Sequence, residues 1–460
     1  MPDSTPPKFE FALRGAVADA PTPDKLRTWD DALVLVKEDG EIAAVLDADH
    51  ADAREIIRIR TDDIRTLGPD EILLPGLVDL HIHAPQWPQM GRALQVPLED
   101  WLQQHTFPLE ARYEDVEFAR KSYSDLVQTL LANGTTTGLY FGTIHNKATL
   151  LLAKLCLEHG QRALVGRLAM DNPDECPDFY RDASTGAALD GTQAFIEDVR
   201  AMPGNEAATV KPVITPRFIP SCTDKCLDGL GEMAAETGAH VQTHVSESDW
   251  EHNYVLDRHG KSDTQSLSDF GLVGRHTVLA HGPMLSTDDM DQLVQQGAAV
   301  AHCPLSNIYF SNAVFPLRAA LAKGLHVGLG TDISGGPSPS LLENARHTVH
   351  SSRMLEEGVD PSVDGSERGT PDSRVDFITA LHLATRGGGI ALDLPIGSFD
   401  SGNRFDAIVL DLSAPGSNIA RVLEDLPLAD RVQQIIFNAG RQNIAQVWVD
   451  GKAVVGADHN

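Results

Sequence analysis

The chain has 460 residues, of which 42% are hydrophobic and 22% are charged, and its formal net charge is −29. This composition is ordinary for a soluble globular protein and excludes wholesale disorder. The acidic charge repels polyphosphate, which argues against nucleic-acid binding through a basic surface. The length suits roughly three domains or, equally well, one large barrel with a satellite domain.

Several signals are missing from the sequence. The first ten residues lack a basic region followed by an apolar core, and no run of 18 apolar residues occurs, so we expect neither a secretory signal nor a membrane helix. The five cysteines are scattered and odd in number. They favour a reducing cytoplasm over a disulfide framework.

The two ends of the chain share short segments in which apolar and polar residues alternate. Short alternating segments occupy residues 32–37 and 42–46, with an Asp-Gly turn between them, and the alternation returns at residues 406–410 and 444–450. Period-two alternation bounded by Asp-Gly indicates β-hairpins. We therefore predict a small β-sandwich-like domain built from residues 1–72 together with residues 396–460.

The central part, residues 73–395, alternates short apolar runs with amphipathic stretches of helical length. Such repeated strand–helix units predict an α/β fold, a (β/α)8 TIM-type barrel. A doubly wound sheet is the competing topology, but no glycine-rich turn follows a first strand. The eight predicted strands span residues 77–80, 135–141, 163–169, 209–214, 240–243, 277–280, 298–301 and 325–329. Helices are predicted at residues 115–131, 150–158, 224–236 and 287–296.

Polar side chains follow several of these strands. His81 and His83 end the first strand and point to the same side of it. Such a pair alone is weak evidence for a metal site, because about 0.7 His-x-His pairs are expected by chance in a chain of this composition. His244, His281 and Asp332, however, each lie just past the end of another predicted strand, on the face where barrels carry their active sites. Imidazoles with a carboxylate suit a divalent ion such as zinc, so we predict a metal site there.

Glu247 lies three residues after His244. A carboxyl group beside such a metal site can move protons between water and a substrate nitrogen. The competing interpretation places Glu247 in a helix N-cap region, residues 246–249.

The motifs together resemble the amidohydrolase superfamily. They are PGLVDLHIHAP (75–85), THVSE (243–247), LAHG (279–282), HCPLSN (302–307) and GLGTD (328–332). The segments HIHAPQWPQMGRAL (81–94) and PLEDWLQQHTFPLEARY (97–113) narrow the resemblance to the guanine deaminases within it. The resemblance runs from about residue 74 to residue 346.

The resemblance implies a zinc-dependent hydrolysis of guanine to xanthine and ammonia, in a homodimer with one zinc ion per subunit. It implies four zinc ligands, His81, His83, His244 and Asp332, and places His281 beside the attacking water or among the ligands. Asp332 would act as base and Glu247 as proton shuttle. The implied purine-binding residues are Gln86, Arg217 and Phe218, with His83 and His244 beside them. Trp87 stands where tyrosine is more usual, which could alter the edge of the pocket.

Other functions remain open at this point. The substrate could be another aminated heterocycle, such as 8-oxoguanine, a pterin or a pyrimidine. The two-metal cyclic amidases need a bridging lysine at the end of strand four, whereas Lys211 lies at its start. A barrel that has lost catalysis should lack the ligand residues, which this chain retains.

Overall fold

The computed structural model describes residues 8–423 and 425–456, and this part of the chain forms two eight-stranded sheets. The strands are β1 (Phe11–Thr22), β2 (Lys25–Val36), β3 (Ile42–Asp47), β4 (Ile64–Thr66), β5 (Glu71–Pro75), β6 (Leu77–His83), β7 (Thr135–Phe141), β8 (Arg162–Ala169), β9 (Val210–Pro216), β10 (His240–Val245), β11 (Thr277–His281), β12 (Ala299–His302), β13 (His326–Leu329), β14 (Ala407–Asp411), β15 (Ile444–Val449) and β16 (Lys452–Val455).

Helices connect and cover these strands. They are α1 (Ala51–Ile59), α2 (Leu98–Trp101), α3 (Phe107–Ala111), α4 (Val116–Ala132), α5 (Asn146–Glu158), α6 (Thr185–Arg200), α7 (Asp224–Thr237), α8 (Asp249–His259), α9 (Asp263–Asp269), α10 (Thr287–Gln296), α11 (Pro304–Phe310), α12 (Leu317–Ala322), α13 (Leu341–Glu357), α14 (Phe377–His382), α15 (Gly388–Ala391) and α16 (Leu428–Asn438). Within the described residues, none of them combines the length and the apolar character needed to cross a bilayer.

Strands β6 to β13 form a parallel sheet in sequence order, and every residue of β6, β7, β10, β11 and β12 is buried. The sheet closes where the segment after β13 meets the end of β6. There the Asp332 N–H donates to the His81 carbonyl and the His83 N–H donates to the Ile333 carbonyl, both at 2.8 Å. The predicted (β/α)8 barrel is thus confirmed, and all eight predicted strands are present.

The predicted helices are also present, with small differences at their ends. Helix α10 has the predicted bounds, and its N-terminus is fixed by a capping box in which Ser286 and Asp289 each bond the other's backbone. Helix α5 begins at Asn146, four residues before the predicted start, because its first turn is polar and lacks an apolar signal. Helix α7 ends at Thr237 and is capped by Gly238, which adopts the left-handed conformation that glycine tolerates.

The second sheet takes its strands from both ends of the chain. Its order is β16-β15-β14-β5-β1-β2-β3, with β4 beside β1. The Asp39-Gly40 turn joins β2 to β3, and the Asp450-Gly451 turn joins β15 to β16, where both turn residues have positive φ. This sheet confirms the predicted β unit of mixed origin, while the exact extents of the two domains stay a prediction.

Candidate active site

The structure brings the five predicted metal-site residues together at the mouth of the barrel. His81 and His83 lie on β6, His244 lies on β10, His281 ends β11, and Asp332 follows β13. The Asp332 carboxylate lies 3.2 Å from His81 Nε2, 3.6 Å from His83 Nε2 and 3.9 Å from His281 Nε2. His83 Nε2 and His244 Nε2 are 2.9 Å apart. These five residues are called the histidine cluster below.

Three residues at or beside this site have unusual backbone conformations. Ser246, His281 and Asp332 have φ angles of 48°, 73° and 50°, in the left-handed region that non-glycine residues rarely adopt. Each such residue costs about 1–3 kcal/mol and persists only where the surrounding structure enforces it. They lie where β10, β11 and β13 give way to loops, so the chain turns sharply there, and the side chains of His281 and Asp332 face each other in the cluster.

The imidazoles of the histidine cluster are suited to bind a cation. Burial lowers the pKa of His81, His83 and His244 well below its usual value, and burial also lowers the pKa of His281, which favours the neutral form of these rings. Nδ1 of His244 donates to the Arg217 carbonyl at 2.6 Å, which leaves its Nε2 lone pair facing the cluster.

The cluster also contains polar atoms that no described residue satisfies. Nδ1 of His281 lies 3.1 Å from Oδ1 of Asn307, to which it donates, while its Nε2 has no hydrogen-bond partner among the described residues. The Nε2 atom of His81 likewise has no hydrogen-bond partner among the described residues. Buried polar atoms are normally paired, so aligned free lone pairs facing a carboxylate fit a bound metal ion.

Asp79 supports this cluster and was not singled out in the sequence. Its carboxylate accepts hydrogen bonds from the Thr331 backbone and hydroxyl at 2.9 and 2.5 Å, and from the His81 N–H at 3.2 Å. Burial raises the pKa of Asp79 to about 7. The hydrogen bonds of Asp79 to Thr331 thereby hold β6 against the segment that carries Asp332. Only its place two residues before His81 marks it in the sequence.

Glu247 faces the histidine cluster, as predicted. Its carboxyl Oε1 lies 3.6 Å from His281 Nε2. Burial, and then the neighbouring Asp332, raise the pKa of Glu247 well above its usual value, while burial raises that of Asp332 to about 6. The N-cap residue of α8 is Ser248, whose hydroxyl accepts the Glu251 N–H, and Glu247 directly precedes it.

Two buried carboxylates hold the loop that carries Glu247, and the sequence analysis missed both. Glu251 accepts the Glu247 N–H at 2.7 Å, and Asp263 accepts the Ser246 N–H at 2.7 Å. Both side chains are fully buried. The polarity of Glu251 and Asp263 made them look like ordinary surface residues of helices, and no local signal distinguishes them.

Of the predicted substrate-binding residues, Gln86, Arg217 and Phe218 line the same cavity together with His83 and His244 of the histidine cluster. Arg217 follows β9 and pairs with Glu110 of α3, with Nη1–Oε2 and Nη2–Oε1 distances of 2.6 and 3.1 Å. Gln86 donates to the same carboxylate at 3.0 Å. Burial lowers the pKa of Arg217, but the adjacent Glu110 more than offsets this effect and raises it. Gln86, Glu110 and Arg217 are called the Arg217 cluster below.

The cavity between the two clusters opens to solvent at the mouth and has a volume of about 330 Å³, open solvent included. Its walls include His83, Gln86, Leu98, Trp101, Leu102, Arg217, Phe218, His244, Glu247, Phe310, Asp332 and Gly335. The apolar walls and a few convergent polar groups are typical of a small-molecule site. His81 and His281 lie deeper, behind these walls.

Two other residues considered in the sequence lie away from the cavity. Trp87 is half-buried and donates its indole N–H to Asp125 of α4 at 2.7 Å, so it does not line the site. Lys211 is the second residue of β9 and therefore lies at the opposite end of the barrel from the mouth. A lysine at that position cannot bridge two ions at the mouth.

A (β/α)8 barrel with imidazoles and carboxylates gathered at the carboxyl ends of its strands has the architecture of a hydrolytic barrel enzyme. The sequence profile of the amidohydrolase family matches residues 72–454. The probable guanine deaminase of Schizosaccharomyces pombe is 37% identical over 398 residues, which cover 85% of this chain and 73% of the relative.

Solved structures agree with this relationship. The guanine deaminase of C. acetobutylicum with guanine bound in its active site superposes with a TM-score of 0.85 at 29% identity, covering 96% of this chain and 99% of that one. An adenosine deaminase of Xanthomonas campestris with bound zinc gives a TM-score of 0.79 at 25% identity, covering 98% and 93%. The chain therefore belongs to the amidohydrolase family. It is a hydrolytic deaminase, an enzyme rather than a scaffold.

Proposed function

We propose that this enzyme hydrolyses guanine to xanthine and ammonia with one zinc ion per subunit. The observation that carries the proposal is one pocket at the barrel mouth whose lining includes residues of both the histidine cluster and the Arg217 cluster. A planar base would lie between the two clusters with its reacting carbon towards the first and its lactam oxygen towards the second. The likeness to guanine deaminases, one of them with guanine bound, supports this substrate.

The ion would be held by His81, His83, His244 and Asp332, with His281 beside the attacking water or among the ligands. The unpartnered Nε2 atoms and the neutral imidazoles support this assignment. Zinc in such a site supplies Lewis acidity, which lowers the pKa of water to about 7. The bound zinc in the related adenosine deaminase supports the choice of metal.

The chain's own carboxyl groups would move the protons. Asp332 accepts a proton from the attacking water as the oxygen adds to C2 of guanine, and Glu247 donates its proton to ring nitrogen N3. Asp332 then returns its proton to the exocyclic amine, which leaves as ammonia when its bond to C2 breaks. Glu247 takes the hydroxyl proton as the C2 carbonyl forms, so both groups end in their starting states.

The Arg217 cluster and Phe218 would orient the base. The guanidinium of Arg217 can donate to the guanine O6, and the carboxamide of Gln86 can pair with a ring edge. Phe218 lines the cavity and can pack on the face of the purine. Holding the ring at both ends would keep C2 opposite Asp332 and Glu247.

The decisive experiment adds guanine to purified, zinc-loaded protein and follows xanthine and ammonia. We expect equal amounts of both products, and a far lower kcat/KM for 8-oxoguanine, a pterin and a pyrimidine. Faster turnover of one of those rings would replace guanine by that substrate. The homodimer and the cytoplasmic location stay predictions, to be checked by light scattering and by fractionation.

A further inference from the structure

Glu110 is a buried carboxylate to which the proposed reaction assigns no step. It lies on the short helix α3 and its side chain is fully buried. Both of its oxygens are in use, since Oε2 accepts from Arg217 and Oε1 accepts from Arg217 and Gln86. A buried carboxylate costs several kcal/mol unless it is paired, so its presence at this end of the cavity needs a reason.

Glu110 fixes the direction of both neighbouring side chains. Gln86 is held from two sides, because its Nε2 donates to Glu110 at 3.0 Å while its Oε1 accepts the Ser334 N–H at 3.1 Å. The forked pairing with Arg217 fixes the plane of the guanidinium. The hydrogen-bond donors of Arg217 that remain after this pairing are therefore set before any ligand arrives.

The same pairing changes the charge that a ligand meets. An unpaired guanidinium in a buried site binds carboxylates and phosphates strongly, because it offers a full positive charge and a matching fork. Here Glu110 already occupies that fork and cancels the charge. A second anion at this end would lie within a few ångströms of the Glu110 carboxylate and would be repelled by it in a poorly hydrated cavity.

We propose that Glu110 is a positioning residue that makes this end of the cavity select a neutral lactam oxygen and reject an anionic group. The inference rests on the proposed function, because it takes the Arg217 cluster as the site of the lactam oxygen. A purely structural role is the competing explanation. The segment from α2 to α3 lines the cavity with Leu98, Trp101 and Leu102, and Glu110 could simply anchor this segment.

Competitive inhibition of guanine turnover by two purines separates these explanations. Hypoxanthine carries the neutral lactam oxygen at C6, whereas purine-6-carboxylate carries an anion there. The measured quantity is the ratio of the two inhibition constants for the zinc-loaded enzyme. In the unchanged enzyme hypoxanthine binds more tightly. In Glu110→Gln the ratio shifts by about tenfold or more towards the carboxylate, because the freed guanidinium attracts it.

Two variants control for loosened structure. Glu110→Asp keeps the charge and should keep the preference for hypoxanthine, even where both ligands bind more weakly. Asp406→Asn removes a buried carboxylate from another arginine pair, with Arg162 at 3.1 Å, at the opposite end of the barrel. It should leave the ratio unchanged, as a loss of stability alone does.

A further variant shifts the ratio in the opposite direction. Arg217→Gln leaves the Glu110 carboxylate without its cation, so the anionic purine should be rejected even more strongly, and this test stands if Glu110→Gln fails to fold. An equal weakening of both purines in Glu110→Gln or in Arg217→Gln would overturn the inference. Failure of the unchanged enzyme to release xanthine from guanine would instead overturn the proposed function.

Discussion

The two ends of the cavity differ in how completely their buried polar atoms are paired. In the histidine cluster, the Nε2 atoms of His81 and His281 have no hydrogen-bond partner among the described residues. In the Arg217 cluster, both Glu110 oxygens and both polar atoms of the Gln86 amide are bonded within the protein. The free Nε2 atoms at the first end fit a group from outside the chain, whereas the side chains at the second end hold one another in place.

This difference has a structural origin. The histidine cluster stands on the ends of barrel strands, whose spacing is set by the sheet, so its side chains converge whether or not they satisfy one another. The Arg217 cluster joins the end of β9 to the short helix α3, and its ion pair itself holds those two elements together. The two ends should accordingly respond to different perturbations.

Removal of the metal should have the largest effect. Turnover of guanine should fall by about a thousandfold or more after chelation, because Lewis acidity contributes several kcal/mol to the transition state. The melting temperature should fall as well, since the ion binds only the folded protein. Metal analysis, activity and calorimetry check this, and added zinc should restore all three. Full activity in metal-free protein would contradict the assignment of the histidine cluster.

Glu247→Gln should have the second-largest effect on turnover. Loss of proton transfer is expected to lower kcat by about 10²–10⁴-fold, while the bound zinc and the KM stay near their original values. Asp249→Asn, two residues away on the exposed start of α8, is the matched control and should keep full activity. Undiminished turnover in Glu247→Gln would remove this residue from the mechanism.

Arg217→Ala should act mainly on KM. Truncating one member of a buried charged pair costs about 2–5 kcal/mol, much of it because Glu110 is left unpaired. We expect a KM raised by about thirtyfold or more, a lower melting temperature and little loss of zinc. Arg162→Ala breaks the Arg162–Asp406 ion pair at the opposite end of the barrel, so it should lower stability without raising KM. An unchanged KM in Arg217→Ala would place the base elsewhere.

Glu251→Gln probes the loop behind Glu247 and should have a moderate effect. A buried hydrogen bond contributes about 0.5–1.5 kcal/mol, and its weakening lets the Glu247 loop move. We expect kcat to fall by about tenfold with KM nearly unchanged. Asp263→Asn should behave in the same way, because it releases the neighbouring N–H of Ser246. A change confined to KM would show that these carboxylates act on the substrate instead.

Trp87→Tyr should have the smallest effect. The indole lies outside the cavity and bonds Asp125, so kcat and KM should change by no more than about twofold. Steady-state kinetics with guanine checks this. A larger shift in KM would mean that the position acts on the pocket through the preceding Gln86.

The eight strands and the histidine cluster could be predicted because their signal is local. A short apolar run marks each strand, the residue after it marks the mouth, and the barrel fold then brings His81, His244 and Asp332 together. Residues whose function depends on distant partners gave no such signal. Glu110 lies 107 positions from Arg217, and its acidic side chain resembles that of any solvated helix residue.

The amino-acid sequence by itself determined the order of strands and helices, the β unit shared by the two ends of the chain, and the residues that stand at the barrel mouth. Alternating apolar patterns and turn residues act over a few positions, and for that reason they can be read directly. Only the tertiary structure decided which buried charges face one another. It alone showed Glu110 holding Arg217 and Gln86, Glu251 and Asp263 holding the Glu247 loop, and Trp87 turned away. The desolvation of a charge depends on neighbours that are remote in sequence, and folding alone supplies them.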